Sequence, residues 1–413
     1  MGLREEILSE MSSVRTVDCH SHTCLRREYY REVPKDLFGL GFSYFGREVE
    51  AAGVKLEGTD EEKWEGLKAV ILHAGNTSYW RHLTVVYREL FGMEGEELTD
   101  SNWRAVNEEI RRRTVDPGWY DHVTKELCNL ETQVRNVPWF EDWEPEYFTA
   151  VLRMEPALEL HEEGTRRRLE EHLGREFGDL SALKRGLADL AEEYKKRGAV
   201  GIKLAHAYGR TLASEPVPEE EAGKIFRRAL KGEELSAKEV KAFQDHIVFF
   251  LADMAGEMEL VFQIHTGVQT TWGHIPDSDP LLLIPLIRSH PHVKFDLFHA
   301  GYPYSRELGM FGKHYPNVWL NMCWMYVIST SASRQVLREW LDLVPLERIL
   351  GFGSDVGFPE FVYGHLVMAR SVLSEVLEEK VRVDFWSEEL ALDAARKLMR
   401  DNAMALYGLS ALR

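Results

Sequence analysis

The sequence has few cysteines, no long apolar run and no glycine-rich phosphate-binding motif. None of its four cysteines forms a C-x-x-C pair, and such usage is typical of a reduced protein without disulfides. No stretch approaches the roughly 18 apolar residues of a transmembrane helix. Residues 1–10 are charged and lack the apolar core of a signal peptide. We therefore expect a cytoplasmic protein that does not enter a membrane.

Basic residues are fewer than acidic ones. The chain has 50 Lys and Arg against 68 Asp and Glu, which gives a net charge of −18. This balance argues against nucleic acid or an anionic membrane surface as the main partner. A small anionic substrate stays compatible, because the local charge of a pocket can oppose the net charge. We expect a small-molecule substrate, and the composition leaves open whether the chain forms a homo-oligomer.

Short apolar runs alternate with helical patterns along most of the 413 residues. Eight runs are predicted as strands: Val14–His22, Leu127–Glu131, Phe148–Met154, Ala199–Ala205, Glu259–His265, Val293–His299, Val318–Met322 and Ile349–Ser354. Eight strands alternating with helices predict an α/β fold, a (β/α)8 TIM barrel formed by residues 1–413 as a single domain. Residues 26–121 show helical patterns without a strand signal, so we expect a long helical insertion after the first strand.

Two histidines lie at the end of the first predicted strand. His20 and His22 are two residues apart, so both imidazoles point to the same face of a strand, where they are suitable metal ligands. The spacing alone is weak evidence. With 16 histidines in 413 residues, chance alone produces it about 0.6 times.

Other strand ends supply partners for this pair. Lys203 lies on the fourth predicted strand, His265 ends the fifth, His299 ends the sixth and Asp355 follows the eighth. In a barrel the catalytic groups lie at the carboxyl ends of the strands, so we expect these side chains to surround a divalent transition metal. Each residue also has a simpler interpretation, since a lone histidine can be structural and Asp355 can cap a helix.

These strand-end residues resemble the metal site of the amidohydrolase superfamily. The segments LVFQIHTG (260–267), FDLFHAGYP (295–303) and NAMALYGL (402–409) are similar to its amidohydrolase-2 branch. GNTSYWRHLTVVYRELFGM (75–93) resembles a helical segment of uronate isomerases. The later half of the chain resembles the amidohydrolase-like domain that is fused to glutamine synthetase in some proteins.

The resemblance implies that His20, His22, His265 and Asp355 surround one or two metal ions, with zinc preferred and manganese as the alternative. Asp355 and His299 would be the catalytic residues. Asp355 would accept a proton from water activated by the metal. His299 would bind a second metal, polarise the substrate as a neutral imidazole, or only hydrogen bond to another ligand. Binuclear members carry a carboxylated lysine at the position of Lys203, whose alternative is an ordinary ammonium group.

Arg153 ends the third predicted strand and resembles the arginine that uronate isomerases place near the substrate carboxylate. Its alternative is a salt bridge to Glu155 or Glu131. Uronate isomerases follow the aspartate of strand eight with an arginine, whereas this chain has Val356. We therefore expect a metal-dependent hydrolase acting on an amide, lactone or similar carbonyl bond of a small substrate bearing a carboxylate. The alternatives are an aldose–ketose isomerase of the uronate type, a non-hydrolytic decarboxylase, and a barrel that only binds.

Overall fold

The computed structural model describes residues 2–31, 35–55, 57–270 and 274–409. The strands are β1 Thr16–Ser21, β2 Leu130–Val137, β3 Phe148–Arg153, β4 Gly201–Leu204, β5 Val261–Ile264, β6 Phe295–Leu297, β7 Val318–Asn321 and β8 Ile349–Leu350. The helices are α1 Leu3–Ser13, α2 Arg26–Tyr29, α3 Leu37–Ala51, α4 Asp60–Ala74, α5 Ser78–Phe91, α6 Trp103–Thr114, α7 Trp119–Asp121, α8 Glu163–Leu173, α9 Leu180–Lys196, α10 Glu219–Leu230, α11 Ala237–Glu257, α12 Ile284–Ser289, α13 Ser305–His314, α14 Met325–Ile328, α15 Thr330–Leu343, α16 Pro359–Val383, α17 Glu388–Arg396 and α18 Asn402–Tyr407. Within the described ranges no helix has both the length and the apolar character needed to cross a bilayer.

The eight strands form one sheet whose order follows the chain, from β1 to β8. Neighbouring strands from β2 to β8 pair in parallel, as in the register of Lys203 with Gln263. Parallel strands in chain order with intervening helices are the arrangement of a (β/α)8 barrel, so the predicted fold class is confirmed. Helices α2 to α7 lie between β1 and β2 and form the predicted insertion, of which residues 32–34 and 56 lie outside the described ranges.

The second strand differs most from its prediction. The apolar pattern predicts residues 127–131, whereas β2 spans Leu130–Val137 and is buried throughout. Its buried residues include Gln133 and Arg135, so it shows neither the continuous apolar run of an ordinary parallel strand nor a simple alternation. The Arg135 guanidinium lies over the ring of Phe148 on β3 at 5.6 Å, which gives the buried charge an aromatic partner.

The described residues divide into two compact units, and the prediction of a single domain stays a prediction. The first unit comprises residues 1–131, 324–337 and 352–396, and it contains β1, the insertion and α16. In it α5 packs closely against α16. A Cβ atom at Gly364 would lie 2.6 Å from Val86 and 3.0 Å from His82 Nε2, so this approach requires glycine. The contact holds the start of α16, a few residues after Asp355.

The second unit comprises residues 132–323, 338–351 and 397–413, and it contains most of β2 and all of β3 to β8. A buried polar network connects three of these strands to α18. Asp296 on β6 accepts hydrogen bonds from Tyr407 on α18 and, at 3.1 Å, from Asn321 on β7. Gln263 on β5 donates to the Tyr407 hydroxyl at 2.7 Å. Because buried polar groups are costly unless hydrogen-bonded, this network ties the end of the chain to the sheet.

Candidate metal centre

Three of the predicted ligands meet in the first unit. His20 Nε2 lies 3.2 Å from His22 Nε2, and Asp355 Oδ1 lies 3.4 Å from the first nitrogen and 3.2 Å from the second. His20 lies on β1 and is buried, whereas the His22 side chain, just beyond the strand, is 44% exposed. Three ligand atoms therefore form a nearly equilateral triangle that is reached from solvent on the His22 side.

The dimensions of this triangle fit a metal ion. Zinc binds nitrogen and oxygen ligands at about 2.0–2.2 Å, so two ligands of a tetrahedral site are about 3.3–3.6 Å apart. The three observed separations, 3.2–3.4 Å, lie at or just below the lower end of that range. Two imidazoles and a carboxylate are also a donor set that divalent transition metals favour. His20, His22 and Asp355 can thus supply one face of a metal site.

The carboxylate of Asp355 is held in its charged form. Burial raises its pKa, but hydrogen bonds and charge from His20 and His22 outweigh this effect and hold the pKa well below its usual value. Asp355 does not cap a helix, because Phe358 is the N-cap residue of α16. Its backbone has φ of 54°, a left-handed conformation that is uncommon for residues other than glycine, asparagine and aspartate. Such strain is often found at functional sites.

Two further predicted residues meet in the second unit. His299 Nε2 lies 3.1 Å from His265 Nδ1. The other nitrogen of each ring faces a backbone carbonyl. His265 Nε2 lies 2.9 Å from the carbonyl oxygen of Val268, and His299 Nδ1 lies 3.0 Å from that of Cys323. Because a carbonyl accepts only from an N–H, the nitrogen that faces the carbonyl carries the proton in each neutral ring. His265 Nδ1 and His299 Nε2 then carry lone pairs that point at each other. That arrangement is unfavourable without positive charge between them, and a proton or a metal ion would supply it.

Lys203 on β4 is buried, and its Nζ lies 3.6 Å from the centroid of the Phe298 ring. A cation over an aromatic face is a favourable arrangement, whereas the carbamate anion of a carboxylated lysine would be repelled there. The neighbouring carboxylate of Asp296 also favours a positive charge on Lys203. Burial raises the pKa of Asp296 to about 7, and the Lys203 charge is one of the influences that lower it. These surroundings favour an ammonium group, and the role of Lys203 as a metal ligand stays a prediction.

Arg153 lies at the end of β3 with its side chain 45% exposed. Its Nε donates to Glu155 Oε2 at 3.0 Å, the simpler of the two roles expected for it. The other carboxylate oxygen of Glu155 accepts from the backbone N–H of Ala205 at 2.6 Å. The exposed guanidinium retains donors that can bind a carboxylate, so a role in substrate binding also stays a prediction.

Sequence reasoning assigned no role to Asp18 and Ser354, which adjoin the ligands of the first unit. Asp18 is fully buried and accepts hydrogen bonds from the backbone and hydroxyl of Ser354, the residue before Asp355. Burial raises the pKa of Asp18 to about 7, although the bonds from Ser354 and His20 lower it. The available signal was strand alternation, which places Asp18 on the same face of β1 as His20.

Comparison with known proteins finds a matching family model, similar sequences and a solved structure of the same fold. A family model described as amidohydrolase matches residues 161–409. Protein fluG of Emericella nidulans is 29% identical over 222 residues, which are 51% of this chain and 26% of that protein. The uronate isomerase of Nostoc punctiforme is 27% identical over 309 residues, 68% of this chain and 64% of that protein. The chain thus covers less than two thirds of either relative.

A solved structure matches nearly the whole chain. The crystal structure of uronate isomerase from Thermotoga maritima has a TM-score of 0.81 at 17% identity, covering 98% of this chain and 97% of that one. At this identity the likeness concerns the fold, and it includes the residues before the match to the family model begins.

Proposed function

The chain belongs to the amidohydrolase family, and from this we propose that it is an enzyme whose His20, His22 and Asp355 hold a divalent metal ion, with zinc preferred and manganese as the alternative. The observation that carries the proposal is the triangle of ligand atoms separated by 3.2–3.4 Å. We propose that His265 and His299 contribute to the same chemistry, because each lies just after the carboxyl end of a strand, where TIM-barrel enzymes carry their functional groups.

For the reaction we propose an aldose–ketose isomerisation of a uronate, a sugar acid. Similarity to uronate isomerases over most of the chain supports this choice over hydrolysis. The metal ion, when bound, would draw electron density from neighbouring substrate oxygens. Isomerisation moves a proton from the hydroxyl-bearing carbon beside the carbonyl to the carbonyl carbon, and the proton of that hydroxyl moves to the former carbonyl oxygen. Asp355 and His299 are the residues we propose to carry these protons, and Arg153 would bind the substrate carboxylate.

Hydrolysis is the second candidate, and one residue favours it. Val356 is buried directly after Asp355, at the position where uronate isomerases carry an arginine that helps to hold the sugar acid. An apolar side chain there cannot bind a carboxylate. In a hydrolase, the metal ion would supply a water nucleophile near neutral pH. Asp355 would take the proton from that water, and the substrate would be an amide or lactone bearing a carboxylate.

The first experiment measures bound metal. The purified protein is expected to contain one or two equivalents of zinc or manganese, and His22→Ala is expected to lose metal because it removes one ligand. His122→Ala is the matched control, since its side chain is exposed to a similar extent and its ring hydrogen bonds to Glu126, one turn along its own helix. Retention of the full metal content by His22→Ala would refute the assignment of the ligands.

The second experiment separates the two reactions. The metal-loaded protein is incubated with glucuronate and galacturonate, and the ketose product is measured. The same preparation is tested against N-acyl amino acids, γ-glutamyl compounds and lactones. The isomerase is supported if a uronate is turned over by the wild type and by His122→Ala but not by His22→Ala. Turnover confined to the amides or lactones, with the same dependence on His22, establishes the hydrolase instead.

A further inference from the structure

Asp18 connects the two segments that carry the ligands of the first unit. Its Oδ1 accepts hydrogen bonds from the backbone N–H of Ser354 at 2.8 Å and of His20 at 3.3 Å. Its Oδ2 accepts from the Ser354 hydroxyl at 2.5 Å. Asp18 is fully buried, so no water is available to replace these bonds. One carboxylate thus holds the backbone of a ligand on β1 and of the residue before Asp355.

Other bonds complete the attachment of this second segment. The Asp355 N–H donates to the His20 carbonyl at 2.9 Å. His365 Nδ1 lies 3.0 Å from the Ser354 carbonyl, which only an N–H on that nitrogen can satisfy. Ser354 is therefore held through its N–H, its hydroxyl and its carbonyl. The next residue is Asp355, whose left-handed backbone needs such support to persist.

We propose that Asp18 is a positioning residue, which keeps the His20 and Asp355 ligand atoms at the separation that a metal ion requires. The inference rests on the proposed function only in that this triangle binds metal. Removal of the carboxylate leaves two buried N–H groups without their acceptor. Because an unsatisfied buried donor costs free energy, we expect the backbone to shift until these groups find other acceptors. Groups that orient metal ligands typically change metal affinity 10–100-fold when they are removed.

The test compares three variants in the full chain. Asp18→Ala removes the acceptor, and we expect its affinity for Zn²⁺, measured by competition with a coloured chelator, to fall about 10–100-fold. Asp18→Asn keeps an oxygen that accepts both N–H groups, so its affinity should stay close to wild type. Glu360→Ala is the matched control: Glu360 is also fully buried and accepts bonds from Tyr29 and Trp119, neither of which is a proposed ligand. It should lower stability and leave metal affinity unchanged.

A spectroscopic measurement separates positioning from general stability. In the Co²⁺-loaded protein, visible absorption reports the geometry of the ligands around the metal. We expect Asp18→Ala to shift or weaken these bands and Glu360→Ala to leave them unchanged. If Asp18→Ala does not fold, Asp18→Ser is measured in its place, because a serine hydroxyl is too short to span both N–H groups.

The outcomes separate the inference from the function on which it rests. Wild-type protein that binds neither Zn²⁺ nor Co²⁺ refutes the metal site itself. Wild-type binding together with unchanged affinity and bands in the folded alanine or serine variant refutes only the role of Asp18. Equal losses of metal affinity in Asp18→Ala and Glu360→Ala would show that Asp18 affects the site only through the stability of the fold.

Discussion

His299 Nε2 lies 3.1 Å from His265 Nδ1, while the other nitrogen of each ring faces a backbone carbonyl. The carbonyls orient both imidazoles, and in neutral rings they direct two lone pairs at each other. Metal-binding histidines are commonly oriented in this way, by a hydrogen bond from the nitrogen that does not bind metal. A cation between the two rings would turn this repulsion into attraction.

Removal of either ring should therefore weaken metal binding. We expect His265→Ala to lower the metal content of the purified protein or to reduce its Zn²⁺ affinity at least tenfold, because loss of a group that merely orients a metal ligand already costs about 10–100-fold. His246→Ala is the control, because His246 is also buried and also lies against a carbonyl, that of Val217 at 2.9 Å. Equal metal content and affinity in both variants would show that the His265–His299 pair shares a proton and binds no metal.

Lys203 is expected to be an unmodified ammonium group. Its Nζ lies over the Phe298 ring at 3.6 Å, where a positive charge is stabilised and a carbamate is not. Protein equilibrated with ¹³C-labelled bicarbonate should therefore give no carbamate signal by NMR. Lys203→Met should keep its metal while losing stability, since Asp296 then loses a neighbouring positive charge. A carbamate signal that disappears in Lys203→Met would contradict this expectation and support a carboxylated ligand.

Features with a regular pattern along the chain could be predicted, and features that depend on single backbone groups could not. The apolar run predicted as a strand from Phe148 is a strand from that residue in the structure. The apolar pattern misplaces the strand Leu130–Val137, because buried polar residues in that strand hide the pattern on which such predictions depend.

The same distinction applies to the candidate site. His20, His22 and Asp355 end apolar runs, and the structure brings them together, while their role as ligands stays a prediction. Asp18 interacts with two backbone N–H groups, one of them 336 residues away along the chain. Strand alternation can place Asp18 on the face of β1 that carries His20, but backbone groups are the same at every position, so the sequence does not indicate the contact with Ser354.

The backbone of Asp355 gives a stability test that is independent of its charge. At φ of 54° alanine is strained and glycine is not. We expect Asp355→Gly to be more stable than Asp355→Ala by about 1 kcal/mol, the reverse of the usual order. The measurement is urea unfolding in the presence of a chelator, so that metal does not contribute. The same pair at Glu360, in the first turn of α16, should show the usual order with alanine the more stable. An alanine variant at 355 that equals or exceeds the glycine variant would contradict the left-handed backbone.

His206 gives a prediction about pH. It follows β4, is 5% exposed, and neither ring nitrogen has a hydrogen-bond partner among the described residues. Burial, with a smaller effect from the Arg210 charge, lowers its pKa to about 3. The unfolded chain binds a proton near pH 6.5, whereas the folded protein does not until about pH 3. Between these values His206 therefore reduces stability as pH falls, by up to about 1.4 kcal/mol per pH unit.

Replacing this ring should remove that cost. His206→Leu eliminates two buried nitrogens without partners, so we expect its free energy of unfolding at pH 7.5 to rise by about 1 kcal/mol. Between pH 7.5 and pH 5.0 the wild type should lose about 2 kcal/mol more than the variant, because only the wild-type unfolded chain gains this proton. Urea unfolding at both values measures the difference, and His73→Leu, at an exposed histidine, should show the wild-type pH dependence. An identical pH dependence in wild type and His206→Leu would mean that the folded protein protonates His206 as readily as the unfolded chain does.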